Sequence, residues 1–197
     1  MKSDPAERLV ALLRQADDEF AAIQRRHESQ MQCRAGCSAC CRARLSVTRV
    51  EETFLHRGLA TFADERRDAI RARTREIGRE MCPALDDDGS CGIYAYRPVI
   101  CRTFGAPLLR RRAVPMVNPP TVDVCDINFT QTSLRVLPRS DVIDQTATEL
   151  ELRSIDREHC ARLGLPRDER IPLAALETGV RVTYRTLLRQ VAPGSAR

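Results

Sequence analysis

The chain has 197 residues, of which 43% are hydrophobic and 30% charged, with a net charge of +5. That composition suits one ordinary globular domain and is neither disordered nor fibrous. No stretch approaches the roughly 18 apolar residues a membrane span requires, and the charged N-terminus lacks the apolar core of a secretory signal.

A cytoplasmic location is therefore expected. Lys2 is the only lysine, so nearly all of the positive charge is arginine. Asp and Glu are interspersed with it. The longest basic run, Arg110-Arg111-Arg112, has no aromatic residues around it on which bases could stack. A nucleic acid is not the expected partner, and neither is a membrane. Aromatics are 4% with no Trp, so the core must rest on Leu, Ile, Val and Ala.

Residues 5–31 read as one long helix. Leu9, Leu12, Leu13, Ala16, Phe20, Ile23 and His27 fall on one face. His27 continues that stripe as a packing residue. Residues 32–47 hold the densest cysteines around Gly36, which predicts a loop or irregular helix. Thr48-Arg49-Val50-Glu51 has the spacing of a capping box and opens a second helix. A third helix is expected from about Ala63 to Met81, with a thin apolar stripe through Ile70 and Ile77. Asp86-Asp87-Asp88-Gly89 separates two short apolar runs and predicts a hairpin that brings Cys82 and Cys91 together.

Tyr96-Arg97-Pro98 opens a short helix running to Phe104 and ending at Gly105. Residues 106–139 contain five prolines and are expected to be extended loop. Ser140 is the expected cap of a long helix ending near Gly164. Beyond it, Ile171-Pro172-Leu173 reads as a short extended piece and Thr183–Val191 as a last helix, with a frayed tail from Pro193. The fold class that follows is mostly α with a short β-hairpin: a small, irregular, metal-organised domain. It spans 1–197 as a single unit, with a cysteine-cluster region at 30–130 flanked by helices 5–31 and 140–191. The flanking helices offer a docking surface for an unidentified protein partner.

Nine cysteines are the unusual count. In a reducing compartment, clustered thiols more often bind metal than form disulfides. Cys33-x3-Cys37-x2-Cys40-Cys41 places four within nine residues. Thiolates are soft anionic ligands that suit zinc and iron–sulfur clusters. Close spacing presents several to one centre with little added loop-closure entropy. Cys82 and Cys91 flank the expected hairpin, Cys101 follows one short helix later, and Cys125 lies past the proline-rich segment. The candidate metal ligands are thus Cys33, Cys37, Cys40, Cys41, Cys82, Cys91, Cys101 and Cys125. Eight thiols suffice for two four-cysteine sites, or for one site and a spare set. The adjacent Cys40 and Cys41 diverge in an extended backbone and could serve different centres.

Arg97 and Arg102 flank Cys101, and positive charge beside thiolates offsets their charge. Tyr94 and Phe104 are expected to shield the site from water. Asp86–Asp88 reads as a solvated turn rather than a hard-cation site. Cys160, beside His159 in the long helix, reads as a packing thiol.

These motifs together resemble the YkgJ-like cysteine-cluster family. They are Cys33-x3-Cys37-x2-Cys40-Cys41, Cys82-Pro83-Ala84-Leu85, Gly89-x-Cys91-x-Ile93-Tyr94 and Arg97-Pro98-x-x-Cys101-Arg102-x-Phe104-Gly105. The resemblance covers about residues 30–130 and implies a zinc- or iron-chelating domain with the eight cysteines above as its set. A related cluster domain occurs in flagellin lysine methylases with a [4Fe–4S] centre and S-adenosylmethionine, so the resemblance raises an iron–sulfur cofactor relative to Zn²⁺.

Other classes fit less well. The first three cysteines share the spacing of radical S-adenosylmethionine enzymes, but the following residues read as helices rather than a repeating β/α pattern. No Gly-x-Gly dinucleotide fingerprint and no Gly-Lys-Ser or Gly-Lys-Thr phosphate loop is present. The expected role is metal binding with redox or metal-handling chemistry. A zinc-stabilised interaction module and a cluster-dependent transfer enzyme are the rival functions.

Overall fold

The computed structural model describes residues 4–76, 81–111, 120–175 and a short strand at 182–183. The fold is mostly α, with small sheets filling the spaces between helices. Helix α1 spans Pro5–Arg26, with Pro5 at its first turn, where a missing N–H costs nothing. Its apolar stripe is buried as expected: Leu9, Leu12, Leu13, Ala16 and Ile23. The helix stops before residue 31, because His27 leaves helical geometry and a 3₁₀ turn over Glu28–Gln30 follows.

Helix α2 spans Arg49–Leu59 and α3 spans Asp64–Arg75. The capping box forms: the Thr48 backbone N–H and hydroxyl both donate to Glu51 Oε2, at 2.9 and 3.0 Å. Ile70 is buried, whereas Ile77 lies outside the described residues. The short helix α4 spans Val99–Thr103, opened by Pro98 and preceded by a 3₁₀ turn over Tyr94–Tyr96. The long helix α5 runs from Gln145 to Leu163 and ends before Gly164.

Its cap differs from the sequence expectation. Asp144 accepts from the Ala147 N–H at 3.2 Å, while Ser140 sits in a separate 3₁₀ turn over Arg139–Asp141. A residue of strand lies between them, and the chain must leave it before a helix can begin.

The strands are short and pair across long sequence distances. Strand β1 (Ser46–Val47) pairs antiparallel with β5 (Glu169–Pro172), which pairs antiparallel with β6 (Val182–Thr183). The extended piece at Ile171 is thus confirmed. Thr183 is strand rather than helix, and the rest of the expected last helix and tail lies outside the described residues. Strand β2 (Leu108–Arg110) lies between β3 (Thr121–Asp123), antiparallel, and β4 (Ile143–Asp144), parallel. The segment expected to be loop therefore contains a hairpin. The expected hairpin at 82–91 is smaller: a tight turn closed by one bridge, Leu85 with Cys91.

Three buried clusters hold these elements. The first gathers Val47, Leu55, Leu59, Ile70, Ile93 and Ile171. The second joins α1, α2, α4 and α5 through Leu12, Leu13, Val50, Val99, Leu152 and Ile155. The third sits beneath β2 and β4, with Ile23, Met31, Leu108, Phe129 and Ile143. Among the described residues, no helix is long and apolar enough to cross a membrane.

Two buried carboxylates add polar links between elements. Glu51, 2% exposed, uses its second oxygen to accept the Val99 N–H at 3.0 Å, linking the starts of α2 and α4. Asp141, 5% exposed, meets Arg26 Nε at 2.7 Å and His27 Nε2 at 2.6 Å at the end of α1.

Glu51→Ala leaves the buried N–H groups of Thr48 and Val99 without an acceptor. It should lower unfolding stability by about 2–4 kcal/mol in denaturant titration. Burial alone would raise the Asp141 carboxyl, but the bonds from His27, Arg26 and Ser140 outweigh it and hold it below its ordinary 3.8. A depressed carboxylate stabilises the fold above its unfolded value and loses that contribution as pH falls. Asp141→Asn should therefore cost stability at pH 7, with the difference from wild type shrinking as thermal melts are taken below about pH 4.

Candidate metal centre

The first four cysteines lie on an irregular loop that is held at both ends. Cys33 lies past the 3₁₀ turn that ends α1, and the Gln24 side-chain amide donates to its carbonyl at 2.6 Å. Gly36 turns the chain at φ +82°. The Cys37 N–H then donates to Arg34 O at 2.9 Å, and a 3₁₀ helix over Ala39–Arg42 carries Cys40 and Cys41. Glycine recurs where the next segment arrives. Gly89, at φ +81°, packs so closely that a Cβ there would stand 3.2 Å from Gly36 O. The two loops therefore meet backbone to backbone.

The turn bearing Cys82 and Cys91 is fixed from both sides. Its Cys82 N–H donates to Cys41 O at 2.8 Å. From the outer side, α3 reaches it through Arg66 Nη2 to Asp86 Oδ2 at 2.7 Å and Arg73 Nε to Pro83 O at 2.8 Å. Asp86 is thus an anchor for this turn rather than a free solvated carboxylate. Cys101 projects from α4, which Glu51 holds at its start.

Asn128 carries out the corresponding task for Cys33 and Cys125, and sequence reasoning missed it. It is 2% exposed. Its Oδ1 accepts the Gln32 N–H at 2.7 Å, and its Nδ2 donates to Gly105 O at 2.7 Å and to Cys33 Sγ at 3.2 Å. Its own N–H donates to Cys125 O at 2.8 Å. An asparagine three residues after a cysteine was the available signal, but only the fold shows its partners.

All eight candidate cysteines line one cavity of about 680 Å³, between the first and third cores. Cys160 does not line it; that thiol is fully buried within α5. The sulfurs surround the space rather than converge on a point. Among the described residues, no three Cys, His, Asp or Glu side chains already stand in coordinating geometry. A second, more open cavity of about 1010 Å³ shares the wall formed by Arg34–Cys37 and Cys125.

The electrostatics of the thiols follow from crowding and burial. Contact with Cys41, then burial, raises the Cys40 thiol well above its ordinary value. Contact with Cys40 favours the Cys41 thiolate, but contact with Cys82 and burial outweigh it and push the group up to about 12. Burial raises Cys33 despite the bond from Asn128, and burial also raises Cys91 and Cys101. For these five thiols, burial and crowding together disfavour the ionised form. A cation among them reverses that balance, since a coordinated thiol gives up its proton.

The arginines divide differently from the sequence expectation. The Arg97 guanidinium lies 3.7 Å from the Tyr94 ring centre and favours the thiolates of Cys40, Cys91 and Cys101. Among the described residues, its Nε is the one buried side-chain nitrogen or oxygen without a hydrogen-bond partner. An N–H donor left unpaired beside thiols suits a sulfur-ligated, anionic centre. Arg102 instead turns away. It pairs with Asp17 of α1 and donates to the carbonyls of Arg97 and Ala95 at 2.7 and 2.8 Å. Its role is to hold α4 rather than to neutralise the site. Phe104 and Tyr94 both line the cavity as expected, and Tyr94, 64% exposed, also covers Arg97.

Residues 32–119 match the family model CxxCxxCC, described as "Putative zinc- or iron-chelating domain". Over these residues the chain is similar to that domain family. The match covers less than half of the chain. It includes every candidate ligand except Cys125, which follows its end. No curated protein and no solved structure matches the sequence. The soft, all-thiol donor set, the shared cavity and the unpaired Arg97 N–H all fit the zinc or iron that the family description names.

Gly105 makes the close approach of its backbone to Cys33 possible. It has φ +106°, and a Cβ there would stand 2.5 Å from Cys33 Sγ. Gly105→Ala should lower stability by about 2 kcal/mol through backbone strain and displacement of Cys33. Thermal melts of wild type and variant, with and without added zinc, check both effects. The zinc-induced rise in Tm should be smaller in the variant.

Proposed function

We propose that this protein holds an iron–sulfur cluster or zinc through its cysteine thiolates and acts in redox chemistry or metal handling. The single observation that carries the reading is the enclosure of eight thiols around one cavity. The cavity of about 680 Å³ has room for a cluster or for more than one ion. A bound cluster would supply one-electron transfer, and a bound zinc would supply a structural clamp.

The chain's own residues divide the work. The thiols of the Cys33–Cys41 loop, the Cys82–Cys91 turn, α4 and Cys125 supply the ligands. Asn128 orients Cys33 by its side-chain amide. Arg97 brings positive charge and an N–H donor to the Cys40, Cys91 and Cys101 side. The first core backs Cys82, Cys91 and Cys101 with apolar side chains, limiting water there. The neighbouring open cavity gives a partner or small molecule a path to the Cys37 and Cys125 wall.

Anaerobic purification followed by ultraviolet–visible spectroscopy, with iron, zinc and acid-labile sulfide analysis, tests the proposal. A brown protein containing iron and sulfide is the expected result. A colourless protein with tightly bound zinc would support the interaction-module reading in place of redox chemistry. Cys37→Ser and Cys40→Ser should each reduce metal content and lower Tm. Unchanged metal content and Tm in both variants would remove the claim that these thiols bind metal.

A further inference from the structure

We propose that the open cavity beside the thiols binds a small organic anion, a carboxylate with an apolar body, whose acid group Arg34 and Arg42 hold.

The cavity, of about 1010 Å³, lies between three segments: the cysteine loop, the stretch from α4 through β2, and residues 123–127. That volume is at the upper end of the range for small-molecule sites. Much of the lining is apolar, with Leu45, Ile100, Phe104, Leu108, Val124 and Ile127 bordering the space. Ile127 is 42% exposed, so part of this apolar surface still meets water. A bare inorganic anion leaves such surface wet, whereas a ligand with an apolar body covers it.

Charge is unevenly distributed around the cavity. The cysteine loop from 32 to 45 carries Arg34, Arg42 and Arg44 and no carboxylate. Arg34 and Arg42 line the cavity, and both are exposed. Arg34 Nη1 donates to Gln32 Oε1 at 2.9 Å, a neutral partner that leaves its charge uncompensated. Arg42 makes no hydrogen bond or ion pair with any described residue. Other surface arginines are paired: Arg8, Arg66, Arg111, Arg139 and Arg157 each reach a carboxylate within 3.2 Å.

The acidic side chains of the lining do not cancel this charge. Asp123 and Asp126 both belong to the third segment, and Asp123 lies 3.6 Å from Arg110, the remaining arginine of the lining. With that pair set aside, Arg34 and Arg42 stand against Asp126 alone. The positive excess therefore sits on the cysteine-loop wall. A guanidinium presents parallel N–H donors that match the two oxygens of a carboxylate, so an acid group is the fitting partner there.

The cavity's position relates the site to the thiols. The wall formed by Arg34–Cys37 and Cys125 is common to both cavities. An anion held by Arg34 and Arg42 thus lies beside the thiol-lined space. The site is built from side chains other than the thiols, so it stands or falls separately from metal binding.

Calorimetric titration of the full chain under reducing conditions tests the proposal, with octanoate as the probe. Octanoate should bind at one site per chain. Octan-1-ol, which lacks the charge, and octylammonium, which reverses it, should each bind about tenfold more weakly or worse. Butanoate and inorganic phosphate, which lack the apolar body, should be weaker by a similar factor. The double variant Arg34→Gln/Arg42→Gln should lower octanoate affinity about tenfold and leave octan-1-ol affinity unchanged. Arg14→Gln, at an exposed position of α1 that lines neither cavity, should change neither affinity.

Equal affinity for octanoate and octan-1-ol would overturn the proposal, because it removes the role of charge. Octanoate binding at full strength in the double arginine variant would also overturn it, as would no binding of octanoate at millimolar concentration. Thermal melts of the double variant separate lost binding from lost folding. The comparison of probes on the wild type is decisive without any variant.

Discussion

Gathering thiols around one partly buried cavity is unfavourable for their ionised forms, and the rest of this structure is arranged around that constraint. Burial and mutual contact raise Cys33, Cys40, Cys41, Cys91 and Cys101 above the ordinary thiol value. Without a cation these five crowded thiols resist ionisation. With one, the same crowding becomes a dense field of soft ligands. Arg97 already leans the balance toward the thiolate on one side of the cavity.

The scaffold meets the constraint with polar clamps more than with one continuous core. Three apolar clusters lie around the site, and buried polar side chains add links between the elements. Glu51 ties α2 to the helix bearing Cys101. Asn128 ties the first cysteine loop to the Cys125 segment. Asp86 receives arginines from α3 and fixes the turn between Cys82 and Cys91. Each clamp places a cysteine-bearing segment whose own backbone is too short to fold by itself.

Features with local causes were legible from sequence. The 3.6-residue period of Leu9, Leu12, Leu13 and Ile23 placed the buried face of α1. The Thr48–Glu51 spacing placed the start of α2. The cysteine spacing selected eight thiols, and all eight line the same cavity. Features with distant causes were not legible. Strands β1 and β4 are two residues each, and β1 finds its partner at Ile171–Pro172. No periodicity can show in so short a run. The α5 cap went to Asp144 rather than Ser140 because the β2–β4 pairing keeps the chain extended to that point. Arg102 beside Cys101 looked like a charge partner for sulfur, yet Asp17 of α1 and two carbonyls claim it.

The donor chemistry was decided by the sequence alone, since the number of thiols, their softness and their spacing are properties of the residues themselves. Which thiol faces which neighbour was decided only in three dimensions. Cys33 and Asn128 are 95 residues apart and meet through one N–H to sulfur bond. Cys40 and Cys41 are adjacent in the chain, yet Cys41 is buried and Cys40 is only partly so. Side-chain direction on an irregular loop depends on what packs against it, and that packing exists only once the distant segments have met.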